Sequence, residues 1–273
     1  MSRQTLNQVL RSCQAILPKS ESYKTLLDSS ANKRGLSRKL DLLLREGVHD
    51  MKVFGLGFLR SIASKDEYVH FTSCSFHFYR EMERELDRKA EEGAVVGRLW
   101  RKFPELRRAE RLREDLRNVG ASSDPTLVPM SPATTAYCAS IRRAGEEEQG
   151  VRIIAHMYVR YFADLFGGRA LGAPTKYAVQ ELKQSPPLFY QWDRTVEQDR
   201  RAYIERLYVA INEAAEEVAS EEVEKRIVEE ARSAFQHNAN IYTEEEGLYG
   251  KAAQGAYKLV TGYAMAKGRQ LMR

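Results

Sequence analysis

Two stretches of the 273-residue chain set a histidine three residues after a glutamate, Glu46-x-x-His49 and Glu67-x-x-His70. On a helix this spacing puts both side chains on one face, as in the helical proteins that hold paired irons. Two more inward-facing glutamates would complete such a site, and the sequence singles out none. A lone histidine is more often a packing residue than a ligand, and His70, His77 and His156 read as packing or surface residues. Cys13, Cys74 and Cys138 lie far apart, without the spacing of a zinc cluster or a disulfide framework, and fit a reducing compartment.

A second stretch with chemical potential is IAHMYVRYFADLFGGRALG, from Ile154 to Gly172. The adjacent pair Gly167 and Gly168 interrupts a helical pattern, where each glycine costs about 1 kcal/mol relative to alanine. A glycine pair lets a helix bend and lets a flat ligand approach the backbone. Close packing of a neighbouring helix is the other use of such a pair, and the segment by itself favours it.

The elements that must position these residues are helical. Tyr68, Phe71, Ser75, Tyr79, Met82 and Leu86 recur at the spacing of one helix face, and so do Val223, Ile227, Ala231, Ala234, Asn238 and Ile241. Ser220 is the expected N-cap of the second, with Glu221 and Glu222 at the positive end of its dipole. No strand alternation or internal repeat emerges. Residues 119–134 and 184–191 gather glycine, serine or proline and read as loops. The arginines between Arg101 and Arg117 alternate with acids, the usual pattern of a solvated helix face. The fold class expected is all-α.

Charged residues are 30% of the chain and aromatics 10%, as in ordinary globular proteins, and the formal charge of +5 is interspersed, so nothing calls for a nucleic-acid partner. No apolar run reaches the roughly 20 residues that span a bilayer. The first 20 residues contain Arg3, Arg11 and Lys19 but no acid, with apolar residues at helical spacing. Such an N-terminus suits a transit peptide for a mitochondrion or plastid, or else a surface helix on a cytoplasmic protein. Residues 1–38 are therefore expected to form an extension, 39–250 the domain and 251–273 a helical tail.

The run Tyr158, Arg160, Tyr161, Asp164, Leu165, Gly167, Gly168 resembles the distal-helix signature of the heme oxygenase family. Further segments agree in the same order: YVHFTSCSFHFYREMERELDR, FPELRRAERLREDL, SPATTAY, and RLY followed by RIVEEARSAFQHN. The similarity extends over about residues 40 to 245. It implies a single multi-helix domain that binds heme, as both cofactor and substrate, and cleaves it to biliverdin, carbon monoxide and ferrous iron. An electron-donating reductase or ferredoxin would be the partner, and the C-terminal membrane anchor of some members is not expected. A catalytically inactive heme-binding or protein-binding module on the same scaffold is the alternative. The resemblance makes His49 the proximal ligand of the heme iron and places Tyr158, Ala163, Gly167, Gly168 and Phe235 against the macrocycle. Asp164, Arg160, Tyr79 and Asn238 correspond to the residues of the family's distal hydrogen-bond network.

Several positions depart from the family pattern. Val53 stands where a glutamate usually supports the ligand histidine, and such outer partners tune a metal site. Glu46, Glu205 and Val209 replace cationic residues that hold the heme propionates, leaving Arg45 or Arg206 to substitute. Ala163 replaces a glycine and Phe166 a serine, so a methyl group and a ring are expected to crowd the distal face.

Overall fold

The computed structural model describes residues 30–45, 51–121, 125–182 and 185–271. His49 and Glu46, like the basic leader at 1–29, lie outside the described residues. Among those described there is no strand. The helices are α1 (Gly35–Arg45), α2 (Met51–Ser61), α3 (Lys65–Glu91), α4 (Val95–Arg101), α5 (Ala109–Asn118), α6 (Pro132–Glu146), α7 (Ile153–Met157), α8 (Arg169–Ala178), α9 (Arg194–Gln198), α10 (Arg200–Val218), α11 (Glu221–Thr243) and α12 (Leu248–Leu271). Two π-helical turns, Tyr158–Phe162 and Asp164–Gly168, join α7 to α8.

Local chemistry sets the ends of the long helices. Ser64 caps α3 by accepting from the Glu67 amide, Asp66 and Glu67 lie in its first turn, and Arg88 and Lys89 lie in its last. Each charge thereby complements the helix dipole. Ser220 caps α11 through the Val223 amide, as the sequence suggests, and Ser131 with Pro132 opens α6.

α3 runs through the middle of the molecule and contacts α4, α5, α6 and α7. It is expected to be buried on one face, yet Thr72, Cys74, Phe76 and Phe78 are buried beside Ser75, Tyr79 and Met82. Neighbours on several sides leave it little solvated surface. The main core gathers Tyr79, Met82 and Leu86 with Trp100, Tyr137, Tyr161, Leu207 and Ile227. A second cluster, including Phe58, Leu59, Ile62, Ala252, Ala256 and Leu259, joins α2 to α12.

Both ends of the described chain are packed. Leu36, within the stretch assigned to an extension, is fully buried in the main core. α12, read from the sequence as a tail, lies along α2 and α8. Its approach is close enough to need glycine: a Cβ on Gly255 would stand 1.7 Å from the Leu59 carbonyl oxygen, and one on Gly262 2.0 Å from that of Tyr177.

The arginine-rich stretch is not wholly a solvated face. Arg108 is fully buried, where its guanidinium donates to the carbonyls of Leu106, Glu105, Phe189 and Gln191 and lies over the Trp192 ring. Sequence spacing does not distinguish this arginine from its exposed neighbours, because the Phe189 and Gln191 carbonyls and the Trp192 ring that enclose it come from a distant loop.

Candidate functional site

The site forms where the π-helical segment crosses α3 and α11. An α-helix presents every third or fourth residue to one side, whereas the wider π turns rotate successive side chains differently. Arg160 and Asp164, four residues apart, are both buried and both reach Tyr79. The Tyr79 hydroxyl donates to Asp164 Oδ2. Arg160 Nε donates to Tyr79 Oη at 3.3 Å, and its Nη1 donates to Asn238 Oδ1 at 2.9 Å. Three helical segments thus contribute to one chain of hydrogen bonds, Asp164–Tyr79–Arg160–Asn238.

Electrostatics follow from this burial. Desolvation raises the Asp164 carboxyl above the ordinary carboxylate range, against the opposing pull of Arg160 and the Tyr79 hydrogen bond. Burial also raises the Tyr79 phenol well above its usual value. For Arg160 burial disfavours the charge, but Tyr79 and Asp164 more than compensate, and the guanidinium stays charged. The arrangement is a fixed cation beside a carboxyl group whose proton is held more tightly than in water. Such a group is placed to hold a proton that an exposed carboxylate would release.

Tyr242 belongs to the same assembly, although sequence reasoning missed it. It is hydrogen-bonded to Arg160, and burial pushes its phenol up to about 12. Its ring stacks on Phe71 at 5.3 Å and meets the edge of Phe54 at 5.6 Å. A Cβ on Gly57 would fall 2.0 Å from that ring, so α2 can approach only through glycine. The available signal was its position one turn after Asn238 on the same face of α11.

The glycine pair divides its work. Gly168 faces inward, where a Cβ would lie 3.5 Å from that of Asp164 and 3.9 Å from the Tyr190 ring. Gly167 faces the other way, and a Cβ there would meet nothing within 4 Å. Ala163, one turn earlier, is likewise only partly buried, unlike Phe162, Asp164, Leu165 and Phe166 around it. Ala163 and Gly167 therefore make a low ledge, carrying no side chain larger than a methyl group, on the outer side of the segment that carries Asp164. Phe166 does not crowd this ledge. It is 8% exposed, sits in the main core and faces Phe162 with ring centroids 5.9 Å apart.

The other expected positions are dispersed. Tyr158 is buried and donates to Asp41 of α1 at 3.4 Å, away from the Asp164 chain. Phe235 is buried in the main core. Val53 is half-buried on α2. Glu205 accepts hydrogen bonds from Ser30 Oγ at 2.6 Å and Asn32 Nδ2 at 2.7 Å, which ties the described N-terminal residues to α10. Arg206 lies over the Tyr203 ring, and Val209 lines a shallow groove with Lys102 and Phe103. His156 is a packing residue: wholly buried, it is 3.1 Å from Glu230, which also accepts from Ser140 Oγ and Arg152. Glu67 is taken up by Arg60 and Lys251, so it is not poised with His70 for an iron pair.

Residues 48–244 match the family described as heme oxygenase. Heme oxygenase 1 of Synechocystis sp. is 30% identical over 223 residues, which cover 80% of this chain and 89% of that protein. Heme oxygenase 1 of Nostoc sp. is 28% identical, covering 81% of this chain and 88% of the relative. Among solved structures, heme oxygenase from Leptospira interrogans superposes with a TM-score of 0.58 at 26% identity, over 76% of this chain and 100% of that one. Heme oxygenase 2 from Chlamydomonas reinhardtii, solved without heme, gives a TM-score of 0.64 at 20% identity over 77% and 97% of the two chains, a likeness of fold alone.

Proposed function

The chain belongs to the heme oxygenase family, and from that premise we propose that it binds heme and cleaves it oxidatively to biliverdin, carbon monoxide and ferrous iron. The observation that carries this reading is the buried chain Asp164–Tyr79–Arg160–Asn238, set directly behind the open ledge of Ala163 and Gly167. A planar macrocycle needs a face without protruding side chains, and the ledge offers one. When bound, the heme would supply the iron that activates oxygen and also the ring that is oxidised.

This chain's own residues then have three tasks. His49 is the residue proposed to ligate the iron from the proximal side. Ala163 and Gly167 admit the ring to the backbone of the distal segment, while Phe162 and Phe166 fill the core beneath it. Asp164 holds a proton at its carboxyl group, with Tyr79 donating to Oδ2 and the Arg160 charge fixing the orientation of both. Through ordered water such a carboxyl can relay protons towards the distal face, a form of general acid catalysis. Electrons come from a reductase or ferredoxin.

Heme binding without turnover is a second reading, favoured by Val53 in place of a glutamate and by Glu205 where a cation would hold a propionate. Hemin added to the purified chain tests the proposal. The expected result is a Soret band of a histidine-ligated heme that His49→Ala loses, followed by bleaching and biliverdin when reductant and oxygen are supplied. A stable Soret band under those conditions would support the second reading, and no band at all would reject both.

A further inference from the structure

On the side of α3 facing α6 and the end of α11, three potential metal ligands converge. His70 Nε2 lies 3.7 Å from Cys74 Sγ, one helical turn away, and 4.0 Å from Glu244 Oε1, just beyond α11. The three ligand atoms all lie within 4.8 Å of one another. At a tetrahedral zinc centre, bonds of about 2.0–2.3 Å place ligand atoms roughly 3.3–3.8 Å apart. The observed separations need a closure of roughly 1.5 Å at most.

His70 Nε2 and Cys74 Sγ are in hydrogen-bond contact with each other, and the carboxylate beside them has an oxygen left over. Glu244 Oε2 accepts from the Ala133 amide at 2.9 Å, but its Oε1 is buried with no hydrogen-bond donor. Glu245, also 3.8 Å from His70, is already held by Arg60 and Lys251. Cys74 is 4% exposed and has no disulfide partner. An adjoining cavity of about 260 Å³ is lined by His70, Ser73, Cys74 and His77, and Ser73 Oγ and His77 Nε2 are further buried atoms without a protein partner. A cavity of this size, with these polar atoms on one wall and Val128, Pro129 and Met130 opposite, has room for an ion and the water that completes its coordination.

We propose that His70, Cys74 and Glu244 bind one zinc ion, with water from the adjoining cavity as the fourth ligand. The nitrogen, thiolate and carboxylate set is borderline in softness, which suits zinc rather than magnesium or calcium. The ion would brace α3 to the C-terminal end of α11. Its site is separate from the Asp164 chain and does not rest on the reading of that chain.

The test uses the full chain, purified without a polyhistidine tag and titrated with Zn²⁺ and with Co²⁺ as a spectroscopic probe. The wild type should bind one ion per chain, give a near-ultraviolet thiolate-to-cobalt charge-transfer band, and melt at a higher temperature with zinc. Cys74→Ser should remove the band, and His70→Ala and Glu244→Gln should each weaken binding at least about tenfold. Cys138→Ser should leave both unchanged. Absence of the band in the wild type, a readout that needs no variant to fold, overturns the proposal, and so does a band that survives Cys74→Ser.

Discussion

Asp164 bears the two burdens of the site at once: it is buried, which favours its protonated form, and it touches the hydroxyl of Tyr79. Asp164→Ala should leave hemin binding near the wild-type level but lower biliverdin formation by about 100-fold or more, the scale of a lost general acid. A hemin titration alongside a single-turnover assay checks this, and equal turnover would remove Asp164 from the chemistry. Glu230 carries a structural counterpart. Burial opposes its charge, yet His156, Ser140 and Arg152 hold the carboxyl down at about 2 against an ordinary 4.5. Because the folded value is depressed, the stabilisation is fully present above about pH 4.5 and is lost as the pH falls towards 2. At neutral pH the shift corresponds to about 3 kcal/mol. Glu230→Gln should therefore cost about that much at pH 7 and less at pH 3, measured by denaturant unfolding, whereas a pH-independent gap would contradict it. Asp164, Arg160, Tyr79 and Asn238 could be singled out in the sequence because they fall in segments that resemble the family's motifs. Glu230 and Arg108 could not, since the partners that bury them (Ser140, Arg152 and His156 for the one, Phe189 and Gln191 for the other) come from segments remote in the chain.

At the scale of elements, the π-helical segment and the C-terminal helix differ from what periodicity suggests. The glycine pair announced an irregularity, but not that the wider turns extend back to Tyr158. Nor did it show that Phe166 turns inward. Phe166→Ser should therefore leave the ledge unchanged and destabilise the fold by about 3 kcal/mol or more, the cost of emptying a buried aromatic site. Thermal unfolding with a parallel hemin titration checks both parts; tighter hemin binding at unchanged stability would show that the ring does crowd the distal face. For α12, Gly255 sits against the Leu59 carbonyl. Gly255→Val should force the helices apart and cost about 1–3 kcal/mol, a fall of several degrees in Tm. An unchanged Tm would mean that α12 contributes nothing to the folded domain. The sequence offered little warning of this packing, because lysine, tyrosine and glycine interleave along α12 and blur its apolar face.

For the whole molecule, the helical class, the long core helices and the family were readable from sequence, as similarity in motif order carries over most of the chain. Less readable was how the ends join the domain. Leu36 enters the main core, Ser30 and Asn32 bond Glu205, and α12 builds a second core with α2. No described helix is long and apolar enough to cross a membrane. These contacts join both ends of the described chain to the domain that carries the Asp164 chain, and the central claim is that this scaffold turns heme over. The measurement that tests it most directly is the product balance of a single turnover: the hemin-loaded wild-type protein is given reductase, oxygen and catalase, and biliverdin and carbon monoxide are quantified together. The account predicts equal amounts of both, matching the heme consumed. Heme that stays intact, or bleaches without releasing carbon monoxide, would contradict it.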